Sequence, residues 1–142
     1  MIGEFTGAGR RLESRGAGIL DSYAHHPAEI AADIAAVERP VLALFQPHLY
    51  SRTRYLAHEF AVALASADAV CVTDIYPARE EPIPGVSGRL IVDELARVRP
   101  GMRIGWAPTL EEGAHIVACW RRPGDTVLTL GAGDVDRAAE LV

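Results

Sequence analysis

The chain is poor in cysteine, in aromatic residues and in long runs of any one character. Its two cysteines, Cys71 and Cys119, lack the close spacing of a zinc motif. Each sits in an apolar run, "AVCVT" and "IVACW", so both are expected to be reduced core residues. No apolar run reaches the length of a membrane span. The opening "MIGEFTGAGRRLES" has no apolar core of a secretory signal, so a cytoplasmic location is expected and no membrane partner. No long basic run is present. Arg10 with Arg11, and Arg52 with Arg54, are local features on a chain of formal net charge -5, which argues against a nucleic-acid partner. There is no internal repeat and no low-complexity segment.

What is there is globular: 142 residues, 49% hydrophobic and 23% charged, enough to bury one sizeable core. From Pro40 onward the pattern alternates. "PVLALFQ" and "ADAVCVTDIY" suit buried parallel strands, and "MRIGWA" and "DTVLTLG" are two more. Between them, Leu56, Phe60, Ala63, Leu64 and Ala67 recur at helical spacing, as do Leu90, Ile91, Leu95 and Val98 behind a possible cap at Ser87. Thr109 and Glu112 have the spacing of a capping box, ahead of a face made by Leu110, Ala114, Val117 and Ala118. Val135, Ala138, Ala139 and Val142 predict a closing helix. The front differs: "RRLES" and "GILDSY" read as two short strands joined by "RGAG". Pro27 then suits a first helical turn, with Ile30, Ile34 and Val37 facing inward. The fold expected is α/β and Rossmann-like, a mainly parallel sheet with helices on both faces after a short hairpin-like start. Residues 1–9 are expected to be a linker and residues 10–142 the domain.

In such sheets ligands bind beyond the carboxyl ends of the strands. Four polar turns are expected there: "LDSYAHHP", "QPHLYSRTR", "DIYPAREEP" and "LGAGD". His48 and Arg52 are four apart, so a helix starting near His48 turns both to one side. With a helix N-terminus they offer an anion site, and arginine can grip a carboxylate through two parallel hydrogen bonds. The plain alternative is that Arg52 and Arg54 are solvated first-turn residues, although arginine there opposes the helix dipole. Asp74 and Glu80 could hold an ammonium group or Mg2+, whereas Glu81 reads as solvated. The glycines of "LGAGD" allow close backbone approach, but the full dinucleotide spacing is lacking. The pair His25-His26 invites a metal, yet neighbouring histidines on an extended chain point to opposite faces, so no metal site is expected. His58 and His115 are expected on helix surfaces.

"LDSYAHHPAEI", "LFQPHLYSRTR", "DIYPAREEPIPG" and "LTLGAGDV", in that order, resemble the C-terminal domain of the Mur ligase family. The leading "FTGAGRRLES" resembles the segment by which that family leaves its central domain. The tyrosine of "DSYAHHP" and the "QPHLYSRT" run favour the alanine-adding branch over the branch that recycles cell-wall tripeptide, its alternative. The resemblance implies an ATP-dependent, ADP-forming ligase of peptidoglycan synthesis. ATP would phosphorylate the lactyl carboxylate of UDP-N-acetylmuramate, and the amine of L-alanine would attack the acyl phosphate. Such a reaction demands charge neutralisation and in-line placement. No phosphate loop of the G-x-x-x-G-K-[ST] type occurs here, and no lysine follows the glycines of "LGAGDVD". ATP and Mg2+ are therefore expected to be held mainly by a central domain outside this chain, with a separate N-terminal domain for the uridine nucleotide. The chain alone is expected to be inactive, with no catalytic residue of its own.

The resemblance further assigns Asp21, Tyr23 and His25 to the ATP side, an aspartate being suited to ribose hydroxyls. It assigns His48 and Arg52 to the amino acid and its carboxylate. Asp74, Tyr76 and Glu80 are implied to shape the alanine pocket or the domain interface, and Gly131, Ala132 and Gly133 to approach the amino acid through backbone. Leu49 stands where many members carry an arginine. Two readings compete from other classes. One is a metal-dependent phosphohydrolase using Asp21, His25, His26 and Asp74. The other is a non-catalytic module that binds nucleotide or amino acid.

Overall fold

The computed structural model describes residues 12–142. The expected linker, residues 1–9, and the arginines 10 and 11 lie outside the described residues. Two short strands, β1 (Glu13–Ser14) and β2 (Ile19–Ser22), form the expected antiparallel hairpin, with Glu13 opposite Asp21. Its turn has positive φ at Gly16, Ala17 and Gly18. Then α1 (Pro27–Ala36), β3 (Val41–Phe45), α2 (Tyr50–Leu64), β4 (Ala69–Thr73), α3 (Arg89–Val98), β5 (Arg103–Ala107), α4 (Leu110–Trp120) and β6 (Thr126–Leu130) alternate as the sequence predicts. The six strands form one sheet in the order β1-β2-β6-β3-β4-β5, parallel from β2 onward.

Strand period 2, with a core on each face, explains why β3 and β4 are buried throughout. Val41, Ala43 and Phe45 face one core with Ile30, Ile34, Phe60, Leu64, Ile91 and Leu95 of α1, α2 and α3. Leu42, Leu44 and Cys71 face a second core with Leu110, Ala114 and Val117 of α4. Phe45 meets Phe60 with ring centroids 5.2 Å apart. Each such fully buried side chain contributes about 1.5–3 kcal/mol, and Phe45, Phe60, Ile30 and Ile34 are fully buried.

The helix ends follow their local chemistry. Pro27 opens α1. The Thr109 hydroxyl accepts from Glu112 N (3.1 Å) and donates to the Glu112 carboxylate (3.2 Å), which caps α4 with the N-cap half of the expected box. Ser87 Oγ accepts from Arg89 N (3.1 Å), one residue ahead of the helical cap position.

Three expectations need correction. The closing helix is a 3-10 helix, Val135–Glu140, held by bonds such as Leu141 N to Ala138 O (2.9 Å). It still buries Val135, Ala138 and Ala139, because three-residue turns bring those side chains to one side. Ala118 is exposed, since the inner face of α4 runs through Leu110, Gly113, Ala114 and Val117. Cys119 is exposed for the same reason, while Cys71 is buried, and both are free thiols. An apolar run on a helix does not bury every member.

Candidate functional site

The direction of chain crossover changes between β6 and β3. From β3 the sheet grows outward through β4 to β5; the chain then returns through α4 to place β6 between β2 and β3. Such a switch point opens a crevice at the carboxyl ends of the strands. All four polar turns lie on that rim, and hydrogen bonds connect them. Gly131 N donates to Ser22 O (3.2 Å) and Gln46 N to Leu130 O (3.0 Å). Leu49 N donates to Tyr76 O (3.0 Å), and Tyr76 N to Pro47 O (2.8 Å). Gln46 Nε2 donates to Asp134 Oδ1 (2.9 Å).

Four aromatic rings run along the rim. Tyr23 meets His25 edge-on with centroids 5.3 Å apart, His25 meets His48 at 6.0 Å, and His48 stacks on Tyr76 at 5.7 Å. Thus residues expected on the ATP side and residues expected on the amino-acid side form one continuous surface. Tyr23 is 41% exposed, so its ring is open to a ligand. His25 Nδ1 lies 3.0 Å from Tyr23 O, and its backbone N–H is capped by Glu29 Oε1 (3.2 Å). His26 takes the cap position of α1 and is exposed.

Arg52 Nη1 donates to His48 Nδ1 at 3.1 Å, as the four-residue spacing expects. The His48 imidazole is held below its ordinary pKa, chiefly by burial, then by the charges of Arg52 and His25, against an opposing pull from Glu80. A neutral imidazole here leaves Arg52 as the neighbouring cation. Leu49, where the resemblance implies an arginine, has φ 75 and ψ 135 at the start of α2. Arg54 is exposed.

Three carboxylates are engaged from within the chain. Asp21, the acceptor expected for ribose, is fully buried; Thr129 Oγ1 donates to it at 2.5 Å and Arg15 Nη2 at 3.4 Å. Asp74 Oδ1 accepts from Ile75 N (2.9 Å) and Gly88 N (3.4 Å). Glu80 accepts from both Ser51 N (3.0 Å) and the Ser51 hydroxyl. These bonds, led by that to the Ser51 hydroxyl, hold the Glu80 carboxyl below its usual range.

A cleft of about 260 Å3 opens beside this surface, lined by Gln46, Asp74, Tyr76, Glu111, Asp134 and Arg137. Gly133 forms its neighbour on the glycine turn. A Cβ there would lie 2.5 Å from Tyr76 Cγ and 2.7 Å from Gln46 Oε1, so backbone approaches closely only because glycine stands there. A larger open depression, about 640 Å3, lies at the opposite ends of the strands around Gly18, Arg121, Arg122 and Asp125. It contains none of the rim residues. The site is placed at the carboxyl ends because aromatic and titratable groups converge there.

Among the described residues no three His, Cys, Asp or Glu side chains are grouped as metal ligands. The donors present do not make a Mg2+ cage. The phosphohydrolase reading likewise lacks the cluster it needs from Asp21, His25, His26 and Asp74.

Sequence reasoning missed Gln46, Ser22, Asp33, Ser51 and Asp134. Gln46, Ser22, Ser51 and Asp134 lie inside the quoted turns, and Asp33 is a charge beside Ile34 on the inner side of α1. Those positions were the available signals.

A family profile described as Mur ligase, glutamate ligase domain, matches residues 10–133. The chain belongs to the Mur ligase family. It is similar to the UDP-N-acetylmuramate–L-alanine ligases of Paenarthrobacter aurescens (48% identical over 94% of this chain and 30% of that protein) and Thermobifida fusca (44%, over 94% and 31%). The chain thus spans about 30% of the length of these Mur ligases. Among solved structures it is similar to UDP-N-acetylmuramate-alanine ligase MurC of Thermotoga maritima, with TM-score 0.70 and 25% identity over 92% of this chain and 28% of that one. A murein peptide ligase of Psychrobacter arcticus shares the fold, with TM-score 0.67 and 18% identity over 94% of this chain and 30% of that one. No helix among the described residues is long and apolar enough to cross a membrane.

Proposed function

We propose that this chain is the amino-acid-binding, ATP-site-completing domain of an ATP-dependent ligase that joins L-alanine to UDP-N-acetylmuramate with formation of ADP. The continuous ring surface Tyr23–His25–His48–Tyr76, with Arg52 on His48, carries the reading. Arg52 provides a fixed cation for the alanine carboxylate. Its partner His48 stays neutral near pH 7, so the pair binds an anion without being two adjacent cations. Tyr23 and His25 offer ring faces and edges to the nucleotide, with Asp21 beneath them holding the strand end. Gly131, Ala132 and Gly133 bring backbone to the amino acid, while Asp74, Tyr76 and Glu80 shape the pocket wall. The phosphates and Mg2+ are held by a central domain, and the uridine nucleotide by an N-terminal domain; both domains are partners of this one.

The test is a chimera. The matching C-terminal segment of the T. fusca relative is replaced by this chain, and L-alanine-dependent ADP release with UDP-N-acetylmuramate is measured. The chimera is expected to be active and its Arg52→Ala version strongly impaired; this chain alone is expected to release no ADP. A folded but inactive chimera, or alanine-dependent turnover by the chain alone, would sink the reading.

A further inference from the structure

Ser22 is fully buried at the end of β2, and Asp33 is 1% exposed on α1. The Ser22 hydroxyl donates to Asp33 Oδ2, and Ser22 Oγ in turn accepts from Ala24 N at 3.0 Å. The Ser22 carbonyl accepts from Gly131 N at 3.2 Å. One buried serine therefore joins three pieces: helix α1, the turn that bears Tyr23 and His25, and the glycine turn after β6.

We infer that Asp33 and Ser22 are positioning residues that fix the Tyr23–His25 turn and the Gly131–Gly133 turn relative to each other. The chemistry is directional. Asp33 Oδ2 accepts from the Ser22 hydroxyl, so the hydroxyl proton points at α1. The hydroxyl lone pairs are then left for Ala24 N–H. A hydroxyl alone could rotate its proton toward other acceptors, and the Ala24 bond would lose its acceptor. Ala24 is 2% exposed, so no solvent replaces that acceptor. Tyr23 and His25 flank Ala24 directly, and His25 is the ring that meets His48. The relay thus sets the spacing between the nucleotide side and the amino-acid side of the rim. The importance of that spacing for a ligand rests on the function proposed above; the relay itself does not.

The experiment is amide hydrogen exchange and histidine ring NMR on this chain, as wild type, Ser22→Ala, Asp33→Ala and Asp33→Asn. Ser22→Ala and Asp33→Ala are expected to speed Ala24 exchange about tenfold, the loss of one hydrogen bond. They should also move the His25 ring signals and weaken the cross-peak between the His25 and His48 rings. The core amides of Leu44 and Val72 serve as the internal reference: the Ala24 change must exceed theirs, which separates local release from global loss of stability. Asp33→Asn should restore most of the Ala24 protection, because its amide oxygen also accepts from the hydroxyl. Unchanged Ala24 exchange and His25 signals in Ser22→Ala would overturn the inference, as would Asp33→Asn behaving like Asp33→Ala. Since none of these readouts uses a substrate, failure of the chimera assay leaves them unaffected. Should Asp33→Ala not fold, Ser22→Ala and Asp33→Asn still decide.

Discussion

Arg52 Nη1 donates to His48 Nδ1 at 3.1 Å, which leaves that nitrogen no place for a proton of its own. The imidazole is then neutral with its hydrogen on Nε2. The folded pKa lies below the ordinary value of 6.5. Stability from this group is therefore complete above 6.5 and is lost as pH falls through the lower folded value, because the unfolded chain binds the proton more readily. NMR titration of His48 should give a midpoint under 6.5. Arg52→Met should raise it only part of the way, since burial is the larger cause. A His48 midpoint at or above 6.5 in the wild type contradicts this.

The bond from the Ser51 hydroxyl to Glu80 ties the loop after β4 to the first turn of α2, where a carboxylate also favours the helix N-terminus. Its folded pKa is depressed, so its contribution is full above the unfolded value of about 4.3 and disappears as pH falls through the folded value. Glu80→Gln should lower the thermal midpoint at pH 7 and bring it closer to wild type in strong acid. Parallel midpoint-versus-pH curves for the two proteins would be the contrary result.

Gly133→Ala should displace the Tyr76 ring, because the new Cβ would sit 2.5 Å from Tyr76 Cγ. Overpacking of this kind costs about 1–3 kcal/mol. The observable is a lowered denaturation midpoint together with a shifted His48 ring signal, since His48 stacks on Tyr76. A substitution that leaves both unchanged refutes the close approach.

The two thiols should differ sharply. Cys119 is exposed, with its sulfur 3.7 Å from His115 Nε2. Cys71 is buried, and burial pushes its thiol up to about 12. Only the thiolate reacts. A disulfide reagent at pH 8 should therefore label one thiol quickly and the second only on unfolding. Rapid labelling of both would contradict the burial of β4.

Where the sequence was legible, periodicity made it so. The doubly buried strands, the helical faces built around Phe60 and Leu95, and the Thr109 cap depend on neighbours a few residues apart. The convergence of four turns followed from strand alternation alone. What escaped notice depends on pairing across the chain. Asp21 meets Thr129, and Gln46 meets Asp134. Such partners are fixed only once β6 is placed between β2 and β3. Cys119 and Ala118 were missed for a different reason: an apolar stretch longer than one helical face leaves some members outside.

The central position of β6 has a consequence for the order in which the protein is made. During synthesis, β3, β4 and β5 can pair with one another while the β1–β2 hairpin has no sheet to join. Both flanks of the gap stay open until Thr126–Leu130 leaves the ribosome. Open strand edges invite wrong pairing. A nascent chain stalled before Thr126 should therefore be cut by protease around β2 yet resist cleavage within β4. The ligand rim is then completed only when β6 pairs, after the turns that follow β2, β3 and β4 have already been made.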